Sequence, residues 1–146
     1  ILLRRNFLQL LGRPLLEPNK DRVHTHQESL LGKMLYQAPF ALLAHDTSLD
    51  PVFFYANLKA QELFEMDWSE ITQLASRHSA EIENQTKRKE LLDQVSKYGF
   101  IENYSGVRIS KTGKRFKIKE AVVWNLLDEK GLKIGQAAMF EDVRYL

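Results

Sequence analysis

The chain has 146 residues, 44% of them hydrophobic, enough to bury one ordinary core. Its 21 lysines and arginines against 19 acidic residues leave a net charge of +2, too little to imply a direct grip on nucleic acid or on an anionic membrane. The absence of cysteine excludes disulfides, thiolate metal sites and cysteine nucleophiles. No apolar run reaches bilayer-spanning length, so a soluble cytoplasmic domain is expected. The chain starts at Ile1 without the small-residue cleavage site of a secretion signal, and is expected to be trimmed.

In chain order, Leu3, Phe7, Leu10 and Leu11 share one helical face before Gly12 and Pro14 stop the helix. Such a stripe needs cover, either on its own domain or in a homodimer, and the homodimer is the expectation taken forward. Thr25-His26-Gln27-Glu28 has the pattern of a capping box. The helix it opens carries Leu30, Leu31, Met34 and Leu35 until Ala38-Pro39 ends it. Residues 1–37 therefore read as an N-terminal helical extension and 38–146 as the domain.

Residues 40–45 and 51–55 read as the first two strands, joined by the turn-rich Asp46-Thr47-Ser48-Leu49-Asp50. Asn57 stands where the second strand gives way to a helix with Ala60, Leu63 and Phe64 inward, and its side chain suits the free amides of the first turn. Asp67-Trp68-Ser69-Glu70 is a second capping box. Thr86 is read as the cap of a longer helix whose Leu91, Leu92, Val95 and Tyr98 form the buried stripe and whose stop is Gly99. Lys87-Arg88-Lys89 then falls opposite the stripe, as a solvated face. Three strands follow over 101–110, 115–128 and 132–140, with tight turns at 111–114 and 129–131.

Several ordered phrases carry a resemblance. Ala38-Pro39-Phe40-Ala41-Leu42-Leu43, Asp50-Pro51-Val52-Phe53-Phe54-Tyr55-Ala56-Asn57, Ser76-Arg77-His78-Ser79-Ala80-Glu81, Tyr104-Ser105-Gly106-Val107-Arg108-Ile109-Ser110, Val123-Trp124-Asn125-Leu126 and Gly135-Gln136-Ala137-Ala138 together resemble the MEKHLA domain. That family is a relative of PAS domains, found alone in bacteria and at the C-terminus of plant homeodomain–leucine zipper transcription factors. The resemblance implies an α+β fold: a PAS-like five-stranded antiparallel sheet with short helices on one face, behind the N-terminal helical extension. It also implies a sensory or regulatory role in signalling or transcription, and names no cofactor. Light-sensing PAS domains of the flavin type form their adduct through a cysteine, which this chain lacks, so no flavin photochemistry is expected.

The candidate ligand contacts are Asn57, Arg77, Ser79, Tyr104, Arg108, Glu120 and Trp124. By strict alternation Phe116, Ile118, Val122, Trp124 and Leu126 share one strand face, and Glu120 falls on that same face. There it is either a polar contact inside an apolar cavity, or the sign of a bulge or of an exposed stretch of that face. Trp124 is most simply core. Arg77, between Ser76 and Ser79, could fork onto an anion together with Arg108, or tie a loop to backbone carbonyls or to an acidic side chain; Arg108 alternates with Val107 and Ile109 and could instead be an exposed strand cation. His24, His26, His45 and His78 show no metal-ligand spacing, and no nucleophile elbow or phosphate loop is present, so no enzyme is expected. Two functions remain open: a receptor module holding a small molecule between sheet and helices, and a pure interaction module with a filled core.

Overall fold

A computed structural model describes residues 27–146 together with Leu3 and Asn6. Helix α1 (Gln27–Tyr36) leads into β1 (Ala41–His45) and β2 (Phe53–Ala56), followed by α2 (Leu58–Phe64), α3 (Trp68–Ile71), a 3-10 turn (Ser76–Ser79) and α4 (Ile82–Tyr98). The chain then runs through β3 (Phe100–Ile109), β4 (Arg115–Leu127), β5 (Lys133–Phe140) and β6 (Asp142–Tyr145). The antiparallel sheet has the order β2-β1-β5-β4-β3, and β6 pairs with the first half of β4 beyond the end of β5. The short β6 is the addition to the five strands expected. No helix among the described residues is long and apolar enough to cross a membrane.

The alternation expected for β4 breaks at Glu120. Gly106 faces Ile118 and Tyr104 faces Ala121, so β4 carries one extra residue there; between Ile101 and Tyr104 it is β3 that carries the extra one. The left-handed residues mark both sites, Asn103 at φ 57° and Glu120 at φ 52°. Because side chains alternate with a period of two, the inserted residue sends Phe116, Ile118 and Ala121 to one face and Val122, Trp124 and Leu126 to the other. Glu120 itself is exposed. The single apolar face drawn through all of these residues is thereby corrected.

Both faces are consequently covered. Phe116, Ile118 and Ala121 meet Ala41, Leu43, Phe53, Phe140 and the inward residues of α2 and α3; Val123 meets Leu91 and Val95 of α4. On the far side the fully buried Trp124 packs with Leu42, Ala44, Val122, Leu126 and Ala137, under Leu35 of α1 and Leu3. Asn6 is also buried there, donating from Nδ2 to Leu127 O (3.0 Å) and accepting at Oδ1 from Leu127 N (3.1 Å). Phe7, Leu10 and Leu11 of the apolar stripe, and the Thr25 cap, lie outside the described residues.

Asn57 caps α2 as expected, Oδ1 accepting from Ala60 N at 3.1 Å, but it does more. Oδ1 also accepts from Leu42 N (3.0 Å), while Nδ2 donates to Leu35 O (3.0 Å) and Phe40 O (2.8 Å). One buried side chain thus ties together the end of α1, the start of β1 and the first turn of α2. The Asp67–Glu70 capping box forms on α3. Helix α4 starts at Ile82, four residues before Thr86, so Thr86 lies inside the helix and is not its cap. Its stop at Gly99 holds, at φ 97°, with Gly99 N donating to Val95 O.

Two outcomes follow. Asn57→Ala removes four hydrogen bonds, and although Leu35 O keeps Ala38 N as a donor at 3.3 Å, the other groups lose this partner; the change should cost about 3–5 kcal/mol in urea denaturation, because each orphaned buried group costs about 1–3 kcal/mol. Glu120→Gly, freed of the left-handed penalty, should be as stable as the parent or more so, whereas Glu120→Val should lose about 1–2 kcal/mol. A stabilising Glu120→Leu would contradict the exposed bulge, since no apolar face is there for the leucine to join.

Candidate functional site

Between the sheet and α4 lies a cavity of about 60 Å³. Its sheet wall includes Leu43, His45, Phe53, Tyr104, Arg108, Ile118, Val123, Gln136, Ala138 and Phe140; Phe64, Ser79, Arg88, Leu91 and Leu92 close the helical side. None of the described lining residues is acidic. Next to it an open cleft of about 420 Å³ runs past Asp46, Asp50, Arg77, Lys89, Asp93 and Lys133, and the two spaces share His45, Arg88, Leu92 and Gln136.

Tyr104, Gly106 and Arg108 stand at alternate positions of β3, opposite Ala121, Ile118 and Phe116, so all three point to the helical face. Arg108 is only 8% exposed. Its Nη1 donates to Val107 O (2.9 Å), its Nη2 donates to the Tyr104 hydroxyl (3.1 Å), and its guanidinium lies over the Tyr104 ring. Gly106 makes room for this pair, because a Cβ there would come within 2.5 Å of the Tyr104 hydroxyl. The reading of Arg108 as an exposed strand cation is corrected: it is the half-buried Val107 and Ile109 that turn the other way.

Arg88 was placed on a solvated face and is instead 9% exposed. The spacing shows why: Arg88, Leu91, Leu92 and Val95 are i, i+3, i+4 and i+7, so the arginine belongs to the apolar stripe. The stripe ends one turn earlier than expected, with Tyr98 69% exposed. Burial first, and the charge of Arg108 second, push the Arg88 pKa down to about 10, which leaves it a cation at neutral pH.

At the junction of cavity and cleft, the buried His45 has Nδ1 2.9 Å from Asp46 O, an arrangement that puts the proton of the neutral ring on Nδ1. Nε2 is buried without a hydrogen-bond partner among the described residues. Beside it, Gln136 Nε2 donates toward Leu92 O (3.0 Å) and Asn125 Oδ1 (3.1 Å), and Asn125 Nδ2 donates to Val95 O (2.9 Å). This pair of amides holds the middle of α4 to the sheet.

Of the seven candidate contacts, the cavity brings together Ser79, Tyr104 and Arg108. The Ser79 hydroxyl is occupied, donating to Ser76 O at 2.7 Å. Asn57 is consumed by its four hydrogen bonds in the scaffold. Arg77 is exposed and paired with Asp50 at 2.9 Å, the loop-tying alternative. Trp124 is on the far face, and Glu120 lines a separate surface groove with Glu102, Asn103 and Lys119. Arg88 and His45 are the cavity residues that the sequence reading passed over. His78 is exposed, and His24 and His26 lie outside the described residues, among which no cluster of His, Asp or Glu is placed to hold a metal ion.

His45 gives this region a pH dependence. Burial lowers its pKa from 6.5 to about 4, so between these values the unfolded chain binds a proton that the folded chain does not. Stability is therefore full above pH 6.5 and falls as the pH drops toward 4. Urea denaturation should show a loss of about 2 kcal/mol from pH 7.5 to pH 5, and His45→Gln should remove most of it. Asp46 and Glu65, whose pKa values are lowered, lose their contributions below this range.

Comparison with known proteins agrees with the fold. A light-oxygen-voltage domain studied with a flavin analogue superposes with a TM-score of 0.63 at 16% identity, covering 84% of this chain and 88% of the other. A PAS domain from Colwellia psychrerythraea gives 0.67 at 13% identity over 82% and 97%, and one from a two-component sensor histidine kinase gives 0.62 at 12% identity over 82% and 96%. Comparison with curated proteins gives no match. The family model for the MEKHLA domain matches residues 1–145, extension included, and with its PAS-like α+β fold the chain belongs to the MEKHLA domain family.

Proposed function

We propose that the chain is a sensory or regulatory module of signalling or transcriptional control that takes a small molecule into the cavity between sheet and α4, without catalysing a reaction. The observation that carries this reading is the cavity itself, apolar over most of its wall yet holding a buried arginine and a buried histidine nitrogen that have no hydrogen-bond partner among the described residues. The fold satisfies its other buried amides with care, so these groups stand out. Occupancy would act on α4 through Arg88 and on the sheet through Ala138. Its neighbour Ala137 faces the far side, where Trp124 and Leu3 pack. The output on this reading is a changed association of the N-terminal segment, which forms a homodimer in the cytoplasm. No direct contact with nucleic acid or membrane is part of it.

Native mass spectrometry of freshly purified protein tests this. The expected result is a dimer that carries a small molecule released on denaturation. A bare chain mass, with no compound of a metabolite library raising the melting temperature, would favour the pure interaction module instead. Light scattering should give a dimer for the intact chain, and a monomer once residues 1–13 are removed.

A further inference from the structure

We infer that the cavity takes a short-chain organic carboxylate, its anionic head held by Arg88 and Arg108 and its apolar part lying against Leu43, Phe53 and Ile118. This rests on the reading of the cavity as a ligand site and goes on to the class of ligand. Arg88, nine-tenths buried, makes no hydrogen bond or ion pair among the described residues. The carboxylates of the adjoining cleft do not supply one, for Asp50 is paired with Arg77 and neither Asp46 nor Asp93 is within ion-pair distance of Arg88. Arg108 uses Nη1 and Nη2 for one hydrogen bond each, which leaves most of a guanidinium's five N–H donors unspent.

Two guanidinium groups thus share one cavity with no acidic side chain among the described residues of its wall. A guanidinium cannot shed its proton to escape burial, and two like charges in a poor dielectric raise each other's cost. An anion entering between them removes both penalties. Tyr104 adds a third donor: its oxygen accepts from Arg108, and its own proton remains available. The rest of the wall decides what the anion carries. Leu43, Phe53, Leu91, Ile118, Val123 and Phe140 offer nothing to a phosphate's remaining oxygens but suit a hydrocarbon tail. Planar guanidinium forks match a carboxylate. Size sets the upper bound, since a cavity of about 60 Å³ holds roughly five heavy atoms when about 10–15 Å³ is needed for each water-sized group. The open cleft supplies the route in, with Arg88 at the junction.

The test uses the full chain, with thermal shift and calorimetry against sodium acetate, propionate, butyrate and hexanoate. Butyramide serves as the neutral counterpart, and sodium phosphate and chloride are matched in ionic strength. A saturable rise of about 5 °C is expected for propionate or butyrate at a hundredfold excess over Kd, with none for butyramide, phosphate or chloride. Arg88→Met should fold with an equal or higher melting temperature and bind at least about tenfold more weakly. Arg88→Gln and Arg108→Gln, which keep a polar group, should weaken binding likewise and guard against a variant that fails to fold. Equal shifts from butyramide, or undiminished binding by folded Arg88 variants, would overturn the carboxylate while leaving a small-molecule module standing. So would a shift from phosphate alone. No shift from any compound, together with a bare chain mass in native mass spectrometry, would remove both.

Discussion

The architecture turns on one inserted residue in β4. Side chains of a strand alternate between faces, so a single extra residue exchanges everything beyond it, and Glu120 is that residue. Ahead of it Phe116 and Ile118 face the helices; beyond it Val122, Trp124 and Leu126 face α1, and Val123 and Asn125 take the helical side. Without the insertion Trp124 would project toward α4, where the cavity now lies. The matching insertion at Asn103 in β3 restores the register, so that Tyr104, Gly106 and Arg108 face the same way as Ile118. Two non-glycine residues in the left-handed region cost about 1–2 kcal/mol each, a penalty that apolar packing on both faces offsets.

Buried polar groups divide into two kinds. Asn57, Asn125 and Gln136 meet fixed backbone or amide partners and act as ties, the first joining α1, β1 and α2, the other two joining α4 to the sheet. A satisfied buried amide specifies one packing over its competitors, because every alternative leaves its partners unpaired. Among the described residues Arg88, His45 Nε2 and Ser76 Oγ have no such partner, the first two on the wall of the cavity and Ser76 beside the adjoining cleft. A low dielectric makes unmatched groups expensive, so the cavity and its cleft are where the fold carries its costliest buried polar groups.

The same sheet divides and couples the two halves of the molecule. β1 is buried along its whole length, Ala41 and Leu43 toward the helices, Leu42 and Ala44 toward Trp124. Ala137 and Ala138 both border the cavity, and the Ala137 side chain packs in the far core. Leu3 and Asn6 of the N-terminal segment sit on that far side, Asn6 bonded to the last residue of β4.

Much of this was legible in local sequence. The two tight turns at 111–114 and 129–131 bounded β3, β4 and β5, the cap at Asn57 and the box at Asp67–Glu70 started their helices, and Gly99 ended α4, because each depends on residues a few positions apart. Part of the site was legible as well, in the alternate positions of Tyr104 and Arg108, and the place of Arg88 could have been read from its helical spacing to Leu91, Leu92 and Val95. General preference places a charged residue in water, and here the helical spacing overrides it. Only tertiary structure decided which of two readings held for Glu120, since a bulge is defined by the partner strand and its pairing. It also decided that Asn57 serves the scaffold and that Arg108 finds Tyr104 beside it and Arg88 across from it. Local pattern determines the elements because their hydrogen bonds and caps close within a few residues; the cavity and its charge arise between elements far apart in the chain, where only packing brings them together.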